Sequence, residues 1–366
     1  MRALFFFLNT IIFFSFFLTI LSGCRKKIDF ELVGTETITL EQTDPNQLVF
    51  WPWEQVSQVS GVSNLESDGN LVYYNRYVNG LNTMYSLDTN GVSTPLFDVS
   101  NNDNVSLITF SSSKLYYSLN NSSNFFLNEF DQSGILESYQ LNVLPSSGSE
   151  VNVVLDLGSE LFVAGDYTFQ SGTNPAGFVC KLDKVTGDSI PMLGINRKVY
   201  DAITYNNEIY IVGSRFSTMS GSIGWSLAKW SGNQWDFLAI NSGMSQASIT
   251  SIGSSNNEIF LGGYFHSIQS GVCEFDQSSG YFLYNQMFEP DHNSLSTASV
   301  KIKEYDGKLY FGGTITYDGT TIKSIYELDN GMWRCIGDLG LTISDLAVCN
   351  GYVYAAAEGR LYMHKL

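Results

Sequence analysis

One short pattern recurs along the chain and decides most of what it can fold into. A turn rich in Asn, Gly or Ser is followed by alternating apolar residues that often close on Gly. It reads DGNLVYYN at 68–75, SSKLYYS at 112–118, GSELFVAG at 158–165 and NNEIYIVG at 206–213. It continues as NNEIFLGG at 256–263, DGKLYFGG at 306–313 and NGYVYAAA at 350–357. The anchoring aliphatics are Leu71, Leu115, Leu161, Ile209, Ile259, Leu309 and Val353, spaced 44 to 50 residues apart. Alternation over so short a run marks a strand with one buried face. Self-similarity at a period of ~40–50 residues, with about four short strands per unit, marks propeller blades.

Each unit parses into four strands. One precedes the signature, as at Val151–Asp156, Asp201–Tyr205 and Val300–Glu304, and the signature is the second. A third follows the next loop, as at Thr83–Leu87, Ser226–Trp230 and Arg360–His364. The turn into the fourth is repeatedly acidic and Gly-bearing, as at Asp88–Gly91, Asp183–Gly187 and Asp276–Gly280. Asp bonds its own backbone in such turns and Gly supplies positive φ. One or two acids per loop fall short of the six to eight oxygens that calcium takes, so these turns read as structural.

The last unit stops at Leu366, after its third strand. The segment Gln47–Trp53 (QLVFWPW) stands where a fourth strand would be needed, and Pro52 suits an edge because it has no N–H for an inner ladder. The expected fold is all-β: a seven-bladed β-propeller of four-stranded antiparallel blades, the ring closed by an N-terminal strand. Closure removes two open sheet edges.

Residues 206–221 read NNEIYIVGSRFSTMSG, and 225–235 read WSLAKWSGNQW. This is similar to the L-Y-V-G-G-x-F-T…G…I-A-x-W-N-G-x-x-W repeat of secreted bacterial propellers, in the style of kelch and galactose-oxidase-like propellers. The likeness covers about 158–335, where Gly262-Gly263 and Gly312-Gly313 supply the di-glycine; the first, second and seventh units lack it. These motif residues build blades and carry no activity with them. Trp230, Trp235 and Trp333 are expected to pack between sheets.

The N-terminus adds an address. Arg2 precedes an apolar run from Leu4 to Ile20, which ends in Leu21-Ser22-Gly23-Cys24. A charged start, an apolar core and a small-residue cleavage site describe a secretory signal peptide. The final tetrapeptide resembles the lipobox of bacterial lipoproteins. That resemblance implies cleavage before Cys24, diacylglycerol on its thiol and acylation of the new terminus. The competing reading is an uncleaved anchor, favoured by Arg25, Lys26 and Lys27 after the run. The expected organisation is a signal peptide at 1–23, a tether at 24–46 and the propeller at 47–366, exported and lipid-anchored to the bacterial cell envelope.

The chain carries a formal net charge of −17, and no basic stripe follows Arg25–Lys27. Nucleic acid is therefore excluded as a partner. Cys180, Cys273, Cys335 and Cys349 form no C-x-x-C pair and are expected as buried free thiols. Histidine is scarce, at 3 residues, so a multi-histidine metal centre has too few ligands. No metal or other cofactor and no catalytic constellation is expected.

In a propeller, loops joining second to third strands share one face with the connections between blades. Here those loops carry aromatics among Ser, Gly and Thr. Phe169, Phe216 and Phe265 recur after the glycine and read as plugs over each blade. Trp225, Tyr264, His266 and Tyr317 are the candidate ligand-binding residues. The leading expectation is a monomeric binding or scaffold module for a protein partner or an extracellular glycan. A polysaccharide-acting glycosidase or lyase is the alternative, and would need two close buried carboxylates with raised pKa values. A structural subunit of an envelope complex is a third reading.

Overall fold

The structure is a computed structural model that describes residues 53–99, 104–120, 125–131, 134–141, 143–144, 150–171, 174–176, 178–216, 225–238, 248–265, 269–276, 281–283, 301–317, 320–329 and 332–366. Segments 1–23 and 24–46 with Cys24, residues 47–52 and His266 lie outside these.

Local sequence sets the hairpins. At the turn before five of the seven signatures two adjacent residues take positive φ, among them Asn206 and Asn207 (51° and 62°), Asn256 and Asn257 (52° and 63°), Asp306 and Gly307 (52° and 75°), and Asn350 and Gly351 (49° and 76°). Two consecutive positive φ values match the twist of the flanking strands, and Asn, Asp and Gly tolerate them at least cost. The acidic turns behave as expected. Asp88 Oδ1 accepts from the N–H groups of Asn90 (2.9 Å) and Val92 (2.8 Å), and Asp183 Oδ1 from those of Val185 and Thr186 (both 2.8 Å). These bonds hold both carboxyls below the usual aspartate range.

The hairpins assemble into seven four-stranded antiparallel sheets arranged as blades. Their innermost strands are Val62–Ser67, Asn104–Ser111, Glu150–Asp156, Val199–Tyr205, Ser248–Ser255, Lys301–Tyr305 and Ile343–Cys349. Each touches the next, and the last touches the first, so the ring is closed. An additional small sheet joins Val143–Leu144, Thr168–Ser171 and Asn174–Ala176 beside blade 3.

The last blade has the order Glu54–Ser60, Arg360–Lys365, Tyr352–Ala357, Ile343–Cys349. An N-terminal strand does close the ring, but it is Glu54–Ser60, just beyond the expected Gln47–Trp53. Glu54 faces Met363 and Ser60 faces Arg360. An outermost strand keeps one face in water, so the polar EQVSQVS suits it better than an aromatic run, and Val56 is its buried contact. Trp53 lies against His364, ring centroids 5.2 Å apart.

Blade 1 corrects one register. The turn Asp68–Leu71 is closed by Asp68 Oδ1 accepting from the Leu71 N–H at 2.7 Å. The first fully buried aliphatic is therefore Val72, with Tyr74, and Leu71 is half-buried. The cores lie between blades: Tyr116, Leu127 and Leu161 pack between blades 2 and 3, Phe162, Ile211 and Trp235 between 3 and 4. Trp230 and Trp235 pack together at 5.1 Å, as expected; the Trp333 side chain is outside the described set. Cys180, Cys273 and Cys349 are buried free thiols.

Candidate functional site

The seven inner strands line a central channel with a volume of about 1100 Å³. A β-bulge interrupts this strand in blades 1 to 5 and in blade 7. The innermost strand is also a sheet edge, with N–H groups that have no ladder partner, and side chains of the preceding blade take some of them. Asp201 Oδ2 accepts from the Ser251 hydroxyl (2.8 Å) and the Ile252 N–H (3.0 Å) of the next blade. Ser251 Oγ accepts from the Ile302 N–H at 2.9 Å. Asp345 Oδ2 accepts from the Leu65 N–H at 2.8 Å, linking the last blade to the first. The second oxygens of Asp201 and Asp345 take the N–H groups of Ala202 and Leu346.

The remaining charges on the wall are arranged in pairs. Lys303 Nζ reaches Glu66 Oε2 at 2.8 Å. These residues belong to blades 6 and 1, so the pair spans blade 7. Burial works against the charge on Lys303, but Glu66 and Asp345 outweigh it and hold its pKa above the usual lysine value. Lys198 lies 3.4 Å from both Glu150 and Asp166, with its ammonium 5.4 Å from the centre of the Tyr200 ring. At the other end of the channel, burial would raise Asp156. The Lys184 ammonium at 2.6 Å, the Tyr116 hydroxyl at 2.7 Å and the Gly158 N–H reverse this and hold its carboxyl low. Burial pushes the Asp201 carboxyl up, against the opposing pull of Lys301 and the Ile252 N–H.

Lys301 differs from these. Its side chain lines the channel half-buried, and it has no hydrogen bond or ion pair to any described residue. Its charge reaches Asp201 only from beyond contact distance.

Trp225, Tyr264 and Tyr317 were expected in loops; the structure places them in strands, because the second-to-third hairpins run further before turning. Trp225 opens a third strand and faces Phe216, Tyr264 is near the end of a second strand facing Ser270, and Tyr317 faces Thr320. All three stand at the same end of consecutive blades 4, 5 and 6. Their side chains, like those of Phe169 and Phe265, are outside the described set. Phe216 is fully buried, packed over Gly213, where an added Cβ would lie 2.9 Å from its ring; this is the plug role expected of it.

The same face carries residues the sequence reading passed over. Tyr77 and Leu81 flank the Asn79-Gly80 turn of blade 1, 61 % and 47 % exposed. Tyr200 stands at the channel mouth, its hydroxyl taking a hydrogen bond from Ser214 at 2.9 Å. The recoverable signal was the Asn-Gly dipeptide between Tyr77 and Leu81, which fixes a tight hairpin with its flanks at the tip.

Raised pKa values on two converging carboxylates would have marked acid–base chemistry. The Asp201 carboxyl is raised, but its oxygens are already held by backbone N–H groups and a hydroxyl. Among the described residues no group of three or more His, Cys, Asp or Glu is placed to hold a metal ion.

No protein-family model and no curated protein matches the sequence. Solved structures do. A chain of the mitotic checkpoint complex aligns with a TM-score of 0.57 at 12 % identity, covering 93 % of this chain and 99 % of that one. YCF48 bound to D1 peptide aligns at 0.54 and 11 % identity, covering 87 % and 97 %. The β-propeller domain of the trilobed protease from Pyrococcus furiosus, which has an open velcro topology, aligns at 0.53 and 14 % identity, covering 84 % and 95 %. At these identities the likeness establishes the fold.

Proposed function

We propose that this propeller is a binding scaffold for a protein or peptide partner, held at the cell envelope by lipid on Cys24. The observation that carries the binding reading is the channel mouth. Its carboxylates are committed to holding blades together, while exposed Tyr77 and Leu81 and the half-buried Tyr200 remain on the face around it. A rigid ring that gathers loops on one side is suited to recognition rather than to acid–base chemistry, and in such folds function lives in the site. The peptide held by YCF48 and the assembly of the mitotic checkpoint chain support a protein ligand by analogy.

Topology adds an orientation. The closing strand starts at Glu54, at the end where the other blades carry their third-to-fourth-strand turns, and runs toward the mouth face. The described closing strand thus enters the ring on the side opposite Tyr77, Trp225 and Tyr264, and a lipid anchor joined at that side would turn these residues away from the membrane. The test is an envelope pull-down and a glycan array with the W225A/Y264A double variant beside wild type, at matched melting temperatures. Loss of a captured protein in the variant supports the reading. Binding that is unchanged moves the site elsewhere, and glycan binding without protein capture replaces the ligand class.

A further inference from the structure

We infer that the channel binds an amphipathic carboxylate, with its aliphatic body on one wall and its anionic end on Lys301. The aliphatic surface gathers on one side of the channel, between Glu150 and Asp156 of blade 3 and Lys198 and Asp201 of blade 4. Leu107, Leu155 and Ile203, from the contiguous blades 2, 3 and 4, are half-buried and line the cavity. Each packs partly against an inter-blade core and leaves the rest of its surface on the channel. Across the ring, blades 6, 7 and 1 present Lys301, Lys303, Asp345 and Glu66. A ligand apolar throughout would strand those charges, and a fully polar one would leave the aliphatic wall wet.

The sign of the ligand follows from which charges already have partners. Glu66 holds Lys303, Glu150 holds Lys198 and Asp156 holds Lys184. Asp201 and Asp345 accept backbone N–H groups, and Glu304 accepts the Gly307 N–H. Each of these carboxylates already accepts at least one hydrogen bond, so a ligand cation would compete with a partner already in place. Among the channel lysines, Lys198 and Lys303 are in ion pairs, whereas Lys301 has no contact partner among the described residues. A carboxylate on Lys301 gains a charge-assisted hydrogen bond in a partly desolvated site and displaces no described contact, although it shares the lysine's charge with Asp201. The volume of about 1100 Å³ is large enough for a medium-chain acid or a short peptide terminus with room for water.

Two sources share this chemistry, a peptide C-terminus with aliphatic side chains and a free acyl chain. The inference rests on reading the channel as a binding site and is independent of the lipid anchor. The probes are decanoate with decanol as its neutral counterpart, and N-acetyl-trileucine with its C-terminal amide. Binding is followed by calorimetry and by methyl NMR of Leu107, Leu155 and Ile203. At least one acid should bind on the order of tenfold tighter than its neutral counterpart, with shifts at those methyls. Lys301→Met, which keeps the stem and removes the charge, should bring the acid down to the neutral probe's affinity. Lys181→Met, which removes a surface lysine paired with Glu160 outside the channel, should change nothing. Binding of trileucine alone assigns a peptide terminus, and of decanoate alone an acyl chain; either upholds the inference. Equal binding of acid and neutral probes, undiminished acid binding by Lys301→Met, or no binding by either acid at millimolar concentration overturns it. If the pull-down still captures a protein while neither acid binds, the channel inference fails and the scaffold reading stands.

Discussion

The seam between the last blade and the first combines an apolar core with a few polar links, and Asp345 is the link whose removal is easiest to read. Its Oδ2 takes the Leu65 N–H at 2.8 Å and its Oδ1 the Leu346 N–H at 3.0 Å. Leu65 and Leu346 are 1 % and 0 % exposed, so neither N–H has water as a substitute partner. A buried donor left unsatisfied costs ~1–3 kcal/mol. Asp345→Ala should therefore destabilise the ring by about 2–4 kcal/mol, allowing for relaxation. Asp345→Asn keeps one acceptor oxygen and should lose roughly half as much. The assay is equilibrium denaturation in guanidinium, where a lower midpoint at unchanged slope reports stability alone. Ser251→Ala provides a comparison within the ring, since it frees the Ile302 N–H between blades 5 and 6 and removes the hydroxyl that donates to Asp201. If Asp345→Ala unfolds within about 0.5 kcal/mol of wild type, far below the cost of one stranded donor, the side-chain links between blades are incidental.

Two further outcomes follow from the same chemistry. Asp156 is held below its ordinary pKa of 3.8, so its contribution is fully present above that value and is lost as pH falls through the lower folded value. Asp156→Asn should flatten the acid limb of a midpoint-against-pH curve and lower stability at neutral pH; an unchanged acid limb would remove Asp156 as its cause. Cys24→Ser should abolish lipid labelling and leave the protein unprocessed, read by intact mass, whereas a Met1 terminus on wild-type protein from membranes would refute the anchor.

The fold was legible because it repeats. Spacing of the signature strand fixed the number of blades, and Asn, Asp and Gly at the turns fixed the hairpins. The misreadings have local causes. Leu71 and Val72 are adjacent and both apolar, and only the bond from Leu71 N–H to Asp68 shows that the turn runs one residue longer. The closing strand was sought in the aromatic run at Gln47–Trp53, although an edge strand with one wet face calls for the polar alternation of Glu54–Ser60.

The channel was harder to see, for a reason that is itself physical. An inner strand of a propeller has three environments along one run: the core between blades, the channel, and the bulge that switches between them. Period-two reading assumes two. Lys301-Ile302-Lys303 follows the alternation and still conveys it, since Ile302 is 5 % exposed while both lysines face the cavity. Asp201 and Asp345 break the alternation, standing next to buried residues on either side of the bulge. Aspartate is depleted in strands because it competes for backbone N–H groups, and here that competition is the use made of it: the carboxylate takes an N–H that the next blade's edge strand leaves without a ladder partner. An aspartate at this place on an inner strand is therefore a seam residue, and a lysine in the register that Asp201, Ser251 and Asp345 occupy cannot accept the next blade's N–H. Lys301 fills that register in blade 6. The joint it leaves uncapped is met from the other side, by Asp345 turning its second oxygen onto its own neighbour Leu346, which leaves the Lys301 ammonium to the channel.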